Sequence, residues 1–60
     1  MKPGTLVMYN SMYGPYMRAE LSKGDVGLVE RADGPEVRVM WFVSGKTLNM
    51  YREEVVEVTT

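Results

Sequence analysis

Lys23 to Tyr51 reads KGDVGLVERADGPEVRVMWFVSGKTLNMY, three strand signals separated by two turns. Val26 and Leu28 alternate with Gly27 and Val29, and Glu30-Arg31 carry the pattern into solvent. A glycine inside such a run, as at Gly27, marks a bulge or a close backbone approach. Ala32-Asp33-Gly34-Pro35 is a turn, because Asp-Gly suits a positive φ and Pro35 has no N–H to give a following central strand. Beyond it Val37, Val39, Trp41 and Val43 fall on one face and Glu36, Arg38, Met40 and Phe42 on the other, which makes the first set the expected core. Ser44-Gly45-Lys46 supplies the second turn. Thr47 to Tyr51 returns as a strand with Leu48 and Met50 alternating against Thr47, Asn49 and Tyr51.

On the N-terminal side, Thr5-Leu6-Val7-Met8-Tyr9 is rich in β-branched and aromatic residues and reads as a first strand after the Pro3-Gly4 turn. Asn10 to Ser22 shows no clean period of 2 or 3.6 and reads as a long loop. A loop of that length without regular structure is unusual in so small a chain and tends to be functional or disordered. On the C-terminal side, Arg52-Glu53-Glu54 breaks the alternation and is too short for a stable α-helix, so a single 3₁₀ turn is expected there. Val55-Val56-Glu57-Val58 resumes strand character, with Val56 and Val58 on one face. The expected fold is all-β: one domain over residues 1–60, a five-stranded small barrel with one 3₁₀ turn before the last strand.

Composition narrows the function classes. Sixty residues form one core at most, and a chain this short buries only about 60% of the surface that its unfolded form exposes. It contains neither cysteine nor histidine, so disulfides, thiolate metal ligands, the commonest metal ligand and the usual general base are all excluded. The methionines (Met8, Met12, Met17, Met40 and Met50 among them) have no His or Cys beside them to complete a soft-metal site, and they read as filler for an irregular small core. No catalytic, metal or cofactor signature is expected. The longest apolar run, Met40 to Val43, is far short of a membrane span, and Met1-Lys2-Pro3-Gly4 lacks the apolar stretch of a secretory signal, so a cytoplasmic protein is expected. A formal net charge of −1 argues against binding that depends on releasing phosphate counterions.

Strand, long loop, three-strand meander, one helical turn and a short closing strand together resemble the SH3-like small barrels over nearly the whole chain. The residues that carry the resemblance are Gly4-Thr5-Leu6-Val7, Lys23-Gly24-Asp25-Val26-Gly27-Leu28-Val29, Val37-Arg38-Val39-Met40-Trp41 with Gly45-Lys46, and Tyr51-Arg52-Glu53-Glu54-Val55-Val56-Glu57-Val58. The second block looks like the KOW-type motif of ribosomal and transcription-elongation proteins, with Tudor-like barrels as further relatives. The whole is similar to small single-domain proteins of bacteriophages and bacteria, a likeness that also accounts for Trp41, Gly45-Lys46 and the ending Val56-Glu57-Val58. The resemblance implies a barrel and a binding role without a fixed chemistry. The long loop departs from proline-recognising SH3 domains in having Glu20 as its one acid, and the meander departs from basic KOW domains in setting Arg31, Arg38 and Lys46 against Glu30, Asp33 and Glu36.

Candidate contact residues follow from aromatic and apolar clustering. Trp41, on the face of Val37 and Val39, is expected in the core rather than as a stacking platform. Met40 and Phe42 lie on the opposite face and form an interaction surface unless strand curvature buries both faces. Tyr9, Tyr13 and Tyr16 surround the long loop and Tyr51 approaches them in a closed barrel, giving rings of the kind enriched at binding sites. The expected partner is therefore a protein, held through Tyr9, Tyr13, Tyr16, Met40, Phe42 and Tyr51. Nucleic acid is the alternative, with Arg18, Lys23, Arg31, Arg38 and Lys46 on phosphates and tyrosines stacking on bases; self-association through edge strands or the Met40/Phe42 face is a third. Glu53, Glu54 and Glu57 read as solvated charge.

Overall fold

The structure, a computed structural model, describes residues 1–10 and 21–58. Five strands follow one another: β1 (Leu6–Tyr9), β2 (Val26–Asp33), β3 (Glu36–Trp41), β4 (Thr47–Tyr51) and β5 (Val55–Glu57). A single 3₁₀ turn, Arg52–Glu54, separates the last two, where the break in alternation places it. All pairings are antiparallel, in the order β4-β3-β2-β1-β5. That order leaves β4 and β5 as the two edges of an open ladder, so the sheet is five-stranded as expected but its closure into a barrel is not among the pairings.

The alternation of small and large apolar residues decides which face is buried. Val7 and Tyr9 of β1, Val29 of β2, Val37, Val39 and Trp41 of β3, Met50 of β4 and Val55 of β5 all turn inward, joined by Leu21 from the β1–β2 connection. Every strand feeds this one core, and the chain measures 26 × 23 × 22 Å, so the sheet curls around its own inner face. At its centre Tyr9 meets Trp41 edge to face, with ring centroids 6.0 Å apart and planes at 83°. A pair in that geometry contributes about 0.5–1.5 kcal/mol beyond the area it buries. Trp41 is fully buried, as its face predicts, and its indole N–H has no acceptor among the described residues.

Two irregularities shape the sheet. Gly27 pairs directly with Trp41 and permits the close approach expected of it, with the indole lying where a side chain would stand. The bulge is elsewhere: the β2–β3 register shifts by one residue between Val29 and Arg31, leaving Glu30 as the extra residue. A bulged strand bends, so the two halves of β2 serve surfaces that face in different directions. The β2–β3 hairpin closes through Gly34-Pro35, where Gly34 has φ +60° and the proline ring fixes a negative φ, the combination a type II′ hairpin turn requires. The 3₁₀ turn then docks on this hairpin, Arg52 N–H donating to the Pro35 carbonyl at 3.1 Å.

Three sequence expectations are corrected here. Val43 is not core: β3 ends at Trp41, the chain turns, and Val43 is 65% exposed. Gly45 N–H donates to the Trp41 carbonyl at 2.7 Å, so the turn begins two residues earlier than alternation alone suggests. Glu54 is not solvated charge but buried, and its Oε1 accepts from the Tyr51 N–H at 2.9 Å across the 3₁₀ turn. Strand β5 stops at Glu57, although Val58 N–H still donates to the Leu6 carbonyl at 2.9 Å.

Candidate interaction surface

A strand that buries every second residue shows the others to solvent, and in this sheet many of the outward residues are apolar. The register aligns them in two rows. Val56 of β5, Met8 of β1 and Val26 of β2 are consecutive cross-strand partners, and Phe42 extends that row by donating its N–H to the Val26 carbonyl at 3.2 Å. In the second row Leu6, Leu28, Met40 and Thr47 are partners across β1, β2, β3 and β4, and Val58 joins at the far end through its bond to Leu6. Among the described residues eight large apolar side chains are exposed. Six of them, Leu6, Met8, Val26, Phe42, Val56 and Val58, stand in these two rows, each 36–52% exposed; the other two are Val43 and Tyr51.

No charged side chain interrupts either row. The second row ends where the Thr47 hydroxyl donates to Glu30 Oε1 at 3.3 Å, so the bulge residue marks the border of the apolar surface. Beyond the bulge the character of the outer face changes. Arg31, Arg38 and Asn49 form one row across β2, β3 and β4, and Asp33, Glu36 and Tyr51 form the next. Arg31, Asp33, Glu36, Arg38 and Asn49 line a recess of about 260 Å³. Glu30 thus divides the outer face into an apolar half and a charged half.

The residues expected at the contact are dispersed by this arrangement. Tyr9 is buried at 1% exposure, edge to face with Trp41, and so stands apart from the exposed rows. Tyr13, Tyr16 and Arg18 lie outside the described residues. Met40, half-buried, and Phe42, exposed, do share a surface, as the alternation requires. Tyr51 is exposed but belongs to the charged half, on the edge strand β4. Of the basic residues, Arg31 and Arg38 are neighbours, whereas Lys23 sits in the β1–β2 connection and Lys46 in the β3–β4 turn, all of them exposed.

Leu6, Met8, Val26, Leu28, Val56 and Val58 were not singled out as contact residues from the sequence. Leu6, Met8, Val26, Leu28 and Val56 each adjoin a core residue or a glycine in the sequence, and Val58 shares the parity of Val56. Among the described residues no three His, Cys, Asp or Glu side chains come together as metal ligands would, and no helix is long and apolar enough to cross a membrane. Comparison with protein-family models, curated proteins and solved structures returned no match.

Proposed function

We propose that the chain is a small non-enzymatic binding module of the SH3-like barrel type, and that it holds a protein partner through the apolar half of its outer face. The observation that carries this reading is the concentration of exposed large apolar residues into two adjoining, uncharged rows. Scattered surface valines and leucines are ordinary, but contiguous apolar patches on small soluble proteins mark interaction sites. Met8 is the natural anchor because it has a neighbour on each side, Val56 and Val26, and a flexible thioether adapts to a partner's contour. Phe42 adds an aromatic ring at the end of the row, the residue type that interface centres favour.

The test is affinity capture from a lysate of the source organism, treated with nuclease, comparing the wild-type chain with Met8→Lys and with Arg31→Glu. Loss of a specific protein with Met8→Lys and its retention with Arg31→Glu supports the reading. Undiminished capture by a folded Met8→Lys chain overturns it.

A further inference from the structure

The charged half of the outer face breaks one pairing rule twice. Arg31 stands directly opposite Arg38, and the next outward pair is Asp33 with Glu36; like charges facing each other across two strands are unfavourable. The bulge creates this arrangement. Continued without the shift at Glu30, the register that joins Gly27 to Trp41 and Val29 to Val39 would set Arg31 opposite Val37 and turn it toward the core. With the bulge in place each strand carries its two opposite charges two residues apart, Arg31 with Asp33 on β2 and Glu36 with Arg38 on β3, a spacing of about 6.7 Å. All four side chains are exposed, and among the described residues none of them has an ion-pair partner within 4.0 Å.

A row of two cations beside a row of two anions is its own complement. We infer that this face is a self-association surface and that its occupant is a second copy of the chain. A two-fold axis lying between the two faces, perpendicular to the strands and passing between the rows, sets Arg31 over the second copy's Asp33, Arg38 over its Glu36 and Asn49 over its Tyr51. Each contact then occurs twice, as an isologous interface requires. Facing sheets stand about 10 Å apart, a gap that a guanidinium from one side and a carboxylate from the other span together. An axis along the strands would instead lay arginine on arginine, so the charge pattern selects one arrangement. Exposed ion pairs are individually weak and are screened by salt, and the dimer is accordingly weak and salt-sensitive. It leaves the apolar rows of both copies uncovered and so offers the proposed docking face twice. The inference rests on different residues from that docking face, and each is tested without the other.

Sedimentation equilibrium of the wild-type chain is measured at low salt and at several hundred millimolar salt, where the screening length falls below about 5 Å. Two charge-reversed chains, Arg31→Glu/Arg38→Glu and Asp33→Lys/Glu36→Lys, are measured alone and mixed in equal amounts, with folding of each verified by circular dichroism. The expected result is a wild-type monomer–dimer equilibrium at low salt that is lost at high salt, monomeric variants when alone, and dimers restored in the mixture. A wild-type chain that stays monomeric at low salt overturns the inference. So does a dimer that survives either reversal, or a mixture that remains monomeric. Should a doubly reversed chain fail to fold, Arg38→Gln and Glu36→Gln replace the two variants, and a wild-type dimer weakened by neither overturns the inference equally.

Discussion

Gly27 and Trp41 face each other across β2 and β3 with no space left between them: a Cβ on the glycine would lie 2.8 Å from Trp41 Cε3, 2.8 Å from the Met40 carbonyl oxygen and 2.6 Å from Val39 Cγ1. The largest side chain of the core packs directly against bare backbone. One of these three neighbours is main chain and another is a fully buried ring, so neither yields cheaply. Gly27→Ala is expected to destabilise the fold by about 1–3 kcal/mol, the usual penalty of overpacking. Urea denaturation followed by Trp41 fluorescence measures it, and an unchanged midpoint would count against the packing described.

Val37 and Val43 test where β3 ends. Val37 is fully buried and Val43 mostly exposed, although both share the parity of Trp41. Val37→Ala removes two buried methyl-sized groups and should cost about 1.5–3 kcal/mol. Val43→Ala should stay within about 0.5 kcal/mol, as surface substitutions do. Equal losses at the two sites would mean that the strand continues through the turn.

Glu54 ties the 3₁₀ turn to the end of β4 by accepting from the Tyr51 N–H. The hydrogen bond is part-buried and a net intramolecular hydrogen bond contributes about 0.5–1.5 kcal/mol, so Glu54→Ala should lower stability by an amount in that range. Glu54→Gln keeps an acceptor oxygen in place and should lose less. Thermal unfolding of the two variants side by side distinguishes this anchoring role from solvated charge, for which both would be neutral.

Val7 and Met8 are adjacent in sequence and opposite in environment, the first fully buried and the second exposed. Val7→Lys buries an unpaired ammonium and should abolish folding, whereas Met8→Lys should fold with a melting temperature within a few degrees of the wild type. Circular dichroism on both chains checks the outward direction of the apolar rows independently of any partner.

Much of the fold was legible in the sequence because strand periodicity is a short-range signal. The alternating valines of Val37 to Trp41, the Asp-Gly-Pro turn and the three-residue break at Arg52-Glu53-Glu54 each depend on near neighbours, and each lies where those neighbours put it. What was hidden depends on register between strands. The shift at Glu30 cannot be read from β2 alone, yet it sets Arg31 against Arg38 and separates the charged half of the outer face from the apolar half. Met8 and Val56 lie far apart in the sequence, and only the ladder makes them neighbours on the outer face. The packing of Tyr9 edge to face on Trp41 is hidden for a related reason, since it joins β1 to β3, two strands that are not paired neighbours.

Amide chemical-shift mapping of the labelled chain against the captured partner tests the central claim most directly. The account predicts perturbations concentrated at Leu6, Met8, Val26, Leu28, Met40, Phe42 and Val56, on both sides of β1, with little change at Arg31, Asp33, Glu36 and Arg38. Perturbations centred on the charged rows, with the apolar rows unmoved, would contradict it.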